Sequence, residues 1–262
     1  MGSLATSSCV DAAEHLRRLR SAGPLVHNIT NYVSMDISAN ALLAVGASPA
    51  MIHAVEEVED FVAISHALVL NIGTVSPPWA EAMERAAAKA AELGIPTVLD
   101  PVGVGATPYR TALAARLART GVSVIRGNAS EILALAGAAG APTRGVDATH
   151  EVGEAMKNAL GLANELGCAV AVTGPVDQVT DGSAVIRVPG GSPLMAKVTA
   201  IGCAASAAVA AFLGSAAPET PPLASAAHAL ACFGLAGQHA SAKAGGPGTF
   251  RALFIDALAN LT

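Results

Sequence analysis

Lys197-Val198-Thr199-Ala200-Ile201-Gly202-Cys203-Ala204-Ala205-Ser206-Ala207-Ala208-Val209-Ala210-Ala211-Phe212-Leu213 is the stretch on which the reading of this chain turns. Its first residues read as the end of a strand, and its small, apolar remainder reads as a buried helix. Gly202 and Cys203 stand at the joint. A helix N-terminus presents unpaired backbone N–H groups and the positive end of the dipole, so this joint suits an anion such as a phosphate. The same field favours thiolate over thiol at Cys203. An ordinary strand-to-helix turn with a packed cysteine gives the same local pattern. The surrounding chain has to separate the two.

Upstream, strands and helices alternate. A helix over 9–20 is expected, stopped at Gly23-Pro24. Short strands follow at 24–29, 48–52 and 67–72, separated by a helix from Tyr32 to Val45 and a short acidic one near Glu56–Phe61. Pro77-Pro78 opens an alanine-rich helix that Gly94 ends. Strands at 96–100, 122–126 and 168–173 alternate with helices at 109–119, 129–135 and 149–166, the last with Thr149 as a possible cap and preceded by a loop over Gly137 to Gly145. Residues 178–188 read as a hairpin with an Asp181-Gly182 turn. Helices at 203–213, 221–243 and 249–260 complete the chain. Such alternation argues an α/β fold, a mostly parallel central sheet with helices on both faces. No linker or repeat divides it, so one domain over 1–262 is expected, with residues 1–10 as a flexible extension.

Composition narrows the function. The chain has 262 residues, 52% of them hydrophobic, 13% charged and 3% aromatic, and a net charge of −5. Basic residues do not cluster and aromatics are scarce, which excludes a nucleic-acid or anionic-membrane surface. Cysteines at 9, 168, 203 and 232 form no C-x-x-C pair, and residues 1–11 lack the pattern of a secretory signal. A reduced cytoplasmic protein is expected. Low charge with high hydrophobicity also points to a homo-oligomer.

Open α/β sheets bind ligands beyond the carboxyl ends of their strands. The polar residues expected there are Asn28 and Asn31, Asn71, Asp100, Arg126 with Asn128 and Glu131, Thr173, and the Gly202-Cys203 turn. Carboxylates at such a cleft hold Mg²⁺, and an arginine with a helix N-terminus holds phosphates. Together these residue types point to phosphoryl transfer from a nucleotide. Each has an alternative: Asp100 before Pro101 and Thr173-Gly174 could shape turns, and Asn128 with Glu131 has the spacing of a capping box. A P-loop, a G-x-S-x-G elbow and histidines at metal-binding spacing are missing from the sequence.

Several segments match one family at once: Pro24-Leu-Val-His-Asn-Ile-Thr-Asn31, Asn40 to Met51, Asn71-Ile-Gly-Thr74, Asp100-Pro-Val-Gly-Val-Gly-Ala106, Ile125-Arg-Gly-Asn-Ala-Ser-Glu131, Val172-Thr-Gly174, Thr199 to Cys203, and Gly246-Pro-Gly-Thr-Phe250. Over about Leu16 to Leu258 the chain resembles the hydroxyethylthiazole kinases of thiamine biosynthesis, which have the ribokinase-like fold. The resemblance implies ATP- and Mg²⁺-dependent phosphorylation of the hydroxyl of 4-methyl-5-(2-hydroxyethyl)thiazole, in a homotrimer with active sites at subunit interfaces. It implies Met51, Asn28 and Ala200 at the thiazole, Arg126, Thr173 and Asn128 at the nucleotide, Asp100 and Glu131 near the metal, and Cys203 with Gly202 as the catalytic turn. Related readings are a hydroxymethylpyrimidine or pyridoxal kinase of the same fold, or a binding protein that has lost catalysis. The family's Thr-Gly-Thr-Gly-Cys/Asp reads Thr199-Ala200-Ile201-Gly202-Cys203 here. Ala200 adds a Cβ that disfavours positive φ, and Ile201 replaces a hydroxyl with a stiffer side chain.

Overall fold

The computed structural model describes residues 4–139 and 151–262; of residues 4–10, 139, 151 and 152 only the backbone is described. Residues 1–3 of the expected extension, most of the loop from Gly137 to Gly145 and the Thr149 cap lie outside the described residues. The elements run α1 (Leu4–Ala22), β1 (Leu25–Ile29), α2 (Met35–Val45), β2 (Ser48–Ala50), α3 (Val58–Ala63), β3 (Ala67–Asn71), α4 (Pro77–Leu93), β4 (Thr97–Asp100), α5 (Pro108–Ala118), β5 (Val124–Asn128), α6 (Ala129–Ala139), α7 (Glu151–Leu166), β6 (Ala169–Thr173), β7 (Val176–Thr180), β8 (Val185–Pro189), α8 (Ile201–Gly214), α9 (Pro222–Ser241) and α10 (Pro247–Ala259).

The strands form one sheet in the order β2-β1-β3-β4-β5-β6-β7-β8. Pairing is parallel from β2 through β6 and antiparallel in β7 and β8. This is the mostly parallel sheet that the alternation predicts. Side chains alternate along each strand, so Ala67 and Val69 face one core while Leu68 and Leu70 face the other. On the first face lie α2, α8, α9 and α10; on the second lie α4, α5, α6 and α7. Strand order reverses between β1 and β3, and a crevice is expected beyond the strand ends at such a point. Register aligns the polar strand ends: Asn71 stands opposite Asp100, and Asn128 opposite Thr173.

The helix expected after Gly202 begins at Ile201, and every residue from Ala204 to Leu213 is buried. Its alanines let it lie close over β1, β3 and β4. Apolar character all round is what such a central helix requires.

The strand expected at 197–199 does not form. A 3-10 turn occupies Met195–Lys197 instead, followed by Ala200 in the left-handed region. Topology explains this. The chain leaves the sheet edge at Pro189 and must return to α8 over β4, four strands away, about 19 Å at about 4.8 Å per strand. A segment crossing the strand ends cannot pair along them. The hairpin turn is also longer than the two residues expected. Asp181 Oδ1 accepts the backbone N–H groups of Ser183 and Ala184 at 2.9 and 2.8 Å, so residues 181–184 all lie in the loop between β7 and β8.

Candidate active site

The site grows from three neighbouring strand ends. Asp100, the last residue of β4, is 1% exposed. Its Oδ2 accepts the Asn71 amide and the Ser206 hydroxyl, each at 2.8 Å. Its Oδ1 is buried without a hydrogen-bond partner among the described residues. Burial raises the Asp100 pKa to about 6, although Arg126, Ser206 and Asn71 pull it down. Asn71, ending β3, accepts the Asn31 amide at 2.8 Å and the Gly73 N–H at 3.0 Å. Asn31 in turn donates to Cys203 Sγ at 3.4 Å. Gly73 belongs here because a Cβ there would lie 2.5 Å from Asn31 Nδ2.

Cys203 falls in the first turn of α8, but burial, and then the Asp100 charge, push its thiol above the ordinary value. The amides of Asn71 and Asn31 and the charge of Arg126 oppose this only in part. The thiolate expected from the helix dipole is therefore corrected. Desolvation of a buried anion outweighs a dipole of about half a charge.

Arg126 on β5 lies against Gly202. A Cβ on Gly202 would come within 2.8 Å of Arg126 Nη1. Arg126 Nε is buried and unpartnered among the described residues. Arg126, Thr173, Gly174, Asp177, Gly191 and Gly202 share the wall of a cleft of about 730 Å³. Thr173 Oγ donates to Gly127 O at 3.1 Å, and Asp177 Oδ1 accepts the Gly174 N–H at 2.9 Å. Burial holds the Asp177 carboxyl above its ordinary value.

Asn128 and Glu131 do form the capping box of α6. Asn128 Oδ1 accepts the Glu131 N–H, and Glu131 Oε2 accepts the Asn128 N–H, both at 2.9 Å. Glu131 Oε1 accepts the Gly103 N–H at 3.0 Å, which ties the loop after β4 to α6. An ionised carboxylate keeps lone pairs beyond these two bonds. The negative charge of Glu131 is felt at Asp100, so the two carboxylates share one field.

Met51 and Asn28 do not line the cleft. Asn28 is buried, donating to Val26 O at 2.9 Å, with its own oxygen unpartnered among the described residues. Met51 is half-buried just beyond β2. The adjoining Ile52 carbonyl accepts the His27 Nε2–H at 2.9 Å. Burial lowers the His27 pKa to about 4, and its Nδ1 is unpartnered among the described residues. The unfolded chain thus takes up the proton more readily, and stability drops as pH falls from about 6.5 to about 4. At about 1.4 kcal/mol per unit the loss amounts to roughly 3 kcal/mol. Urea unfolding across that range should show a shallower pH slope in His27→Gln than in the parent; equal slopes would refute this.

Ala200 is the one non-glycine residue with positive φ among the described residues, at φ 61° and ψ 11°. The Cβ expected to disfavour this turn is thus carried in it. Non-glycine residues here cost about 1–2 kcal/mol. Ala200→Gly should raise stability by about 1 kcal/mol after the entropy of glycine is counted, with activity kept or increased. Thermal unfolding checks it, and a lower midpoint would contradict it.

Three contributors were not picked out from sequence. Ser206 lies one turn beyond Cys203 on α8, and that i,i+3 spacing was the available signal. Asp177 leaves no comparable trace. Arg110 donates to Ile72 O, to Val102 O at 2.9 Å and to Gly73 O at 3.2 Å, clamping the loops after β3 and β4. Its signal was a cation in the first turn of a helix, where the dipole disfavours it.

Comparison with known proteins agrees in family and fold. The model of the hydroxyethylthiazole kinase family matches residues 16–262. A hydroxyethylthiazole kinase of Desulfotalea psychrophila is 52% identical over 252 residues, covering 96% of this chain and 91% of its own. A solved hydroxyethylthiazole kinase from Pyrococcus horikoshii superposes with a TM-score of 0.89 at 42% identity, covering 97% of this chain and 94% of that one. A ribokinase-like superfamily protein of Enterococcus faecalis shares the fold, with a TM-score of 0.67 at 13% identity, and covers 96% of this chain and 95% of its own.

Proposed function

The chain belongs to the hydroxyethylthiazole kinase family, and we propose that it transfers the terminal phosphoryl group of ATP to the hydroxyl of 4-methyl-5-(2-hydroxyethyl)thiazole in thiamine biosynthesis. One observation supports the placement of the chemistry. Arg126 lies against the Gly202 turn and reaches Asp100, Cys203 and Asp177 with its charge. In this reading the nucleotide occupies the cleft along Arg126 and Thr173, with Asn128, which caps α6 and stands opposite Thr173, at its margin. Arg126 and the N–H groups of Gly202 and Cys203 neutralise charge on the moving phosphoryl group. The thiazole lies toward Met51, Asn28 and Ala200, its hydroxyl at Cys203.

Among the described residues no three His, Cys, Asp or Glu side chains cluster to hold a metal by themselves. Mg²⁺ needs less, because it is commonly held by one or two carboxylates plus substrate phosphates. Asp100, with one oxygen unpartnered, and Glu131 fit that role. Bound there, Mg²⁺ would neutralise phosphate charge. Cys203, with its raised pKa, stays a neutral thiol at pH 7. A loose transition state asks for little early proton removal, so a neutral group in place of a base is tolerated.

A homotrimer sharing its sites fits the surface. Tyr32 and Val33, next to Asn31 in the chain, are 65% and 56% exposed. Residence in the cytoplasm fits Cys168 and Cys203, which form no disulfide. Among the described residues no helix is long and apolar enough to cross a membrane.

The test is ATP consumption with the thiazole alcohol, set against a protein with Cys203 and Arg126 both replaced. Turnover no higher than that control would overturn the reading. Cys203→Asp should keep or raise kcat, because a carboxylate is ionised at neutral pH and this thiol is not. A collapse of kcat in the folded variant would mean that the thiol packs on substrate and takes no proton.

A further inference from the structure

One buried side chain at the centre of the site has no part in the reaction as described. Asn71 is 1% exposed and stands opposite Asp100 at the strand ends. Its orientation follows from backbone groups. Asn31 Oδ1 accepts the N–H groups of Val33 and Ser34, both at 3.0 Å. Its Nδ2 must then face the other way, where both hydrogens are used, on Asn71 Oδ1 and Cys203 Sγ. Gly73 N–H also donates to Asn71 Oδ1, so that amide too has a single orientation. Asn71 Nδ2 therefore faces Asp100 Oδ2, which takes the Ser206 hydroxyl as well. Every bond in the chain runs toward Asp100 or Cys203, and none can reverse unless a backbone N–H is left unpaired.

We propose that Asn71 is a positioning residue of the phosphoryl-transfer site, holding the Asp100 carboxylate and, through Asn31, the Cys203 sulfur in one fixed arrangement. The proposal rests on the kinase reading above. The two functional ends lie on different elements, β4 and α8, and the Asn31-Asn71 bridge is a polar connection between them. Two donors fix Oδ2, so Oδ1 is left as the unpartnered oxygen. Partners that orient a functional carboxylate are commonly worth 10–100-fold in activity or metal affinity.

Asn71→Leu tests this because the side chain keeps about its size and loses the donor to Asp100, without setting a second carboxyl beside that carboxylate. With the fold intact by circular dichroism, kcat should fall about 100-fold while KM for the thiazole alcohol stays within about threefold. The Mg²⁺ concentration for half-maximal rate should rise at least about tenfold. A merely structural role would lower the melting temperature and leave kcat and the Mg²⁺ requirement within about twofold, and that result overturns the proposal. The wild-type protein supplies a second measurement, which decides should the variant not fold. The Asn71 side-chain NH₂ signals in ¹⁵N NMR should exchange slowly and move when Mg²⁺ and ADP are added together. Signals that exchange freely or stay in place would overturn the proposal. Absence of wild-type turnover overturns the kinase reading instead, whereas normal wild-type turnover matched by Asn71→Leu overturns this one alone.

Discussion

Asp100→Asn is expected to lower kcat by about 1000-fold or more and to make the protein harder to unfold. The two effects have one cause. Asp100 carries a charge at a fully buried strand end, with one oxygen held by Asn71 and Ser206 and the other unpartnered. Burial raises its pKa from 3.8 to about 6. Protons are thus bound more tightly in the folded state. The stabilisation from this group is complete below pH 3.8 and is lost as pH rises through about 6. At neutral pH the charge then costs up to about 3 kcal/mol, on the order of 1.4 kcal/mol per unit. Asparagine keeps the shape and an acceptor oxygen for Asn71 and Ser206, and removes that cost. For a chain of this size a gain of even 1 kcal/mol raises the melting temperature by about 2–4 °C. Steady-state kinetics and calorimetry on the same preparation check both halves. Retained activity would remove Asp100 from the reaction, and a lowered melting temperature would contradict the burial cost.

Arg126→Ala carries the second large expectation, a loss in kcat/KM for ATP of about 1000-fold. Its charge bears on Asp100, Asp177 and Cys203, and no other side chain in the site touches all three fields. Gly202→Ala sharpens the test. Gly202 is helical, so alanine there should strengthen α8 by up to about 1 kcal/mol. Its Cβ would nonetheless fall 2.8 Å from Arg126 Nη1. The guanidinium is the movable partner, so it should be displaced while the fold holds. A loss of about 10–100-fold without loss of stability is expected. Full activity in Gly202→Ala would mean that Arg126 does not need its place against the turn.

The fold was legible because its signals are local. Alternating β-branched runs and alanine-rich helices name the elements, Pro77-Pro78 and Gly94 bound α4, and parallel pairing follows from the intervening helices. At 197–199 the sequence resembles a strand end because Val198 and Thr199 are β-branched. What rules the strand out is the path from β8 back to β4, a property of the finished sheet. The residues of the site were mostly visible as polar strand ends. Their connections were not, since the bonds from Asn31 to Asn71 and from Asn71 to Asp100 depend on register between strands. The charge state of Cys203 departs from its sequence context for a related reason. A dipole is readable from the start of a helix, but burial is set by everything packed around it. At Glu131 the capping box forms, and the same carboxylate bears on Asp100 through its charge.

The most direct measurement is ³¹P NMR of the products formed from ATP and Mg²⁺ with the thiazole alcohol, hydroxymethylpyrimidine and pyridoxal offered in turn. A phosphate ester of the thiazole alcohol, formed by the parent, lost in Arg126→Ala and preferred over the other two by at least about 100-fold, is the expected result. No ester, or faster phosphorylation of either of the other two alcohols, would contradict the account.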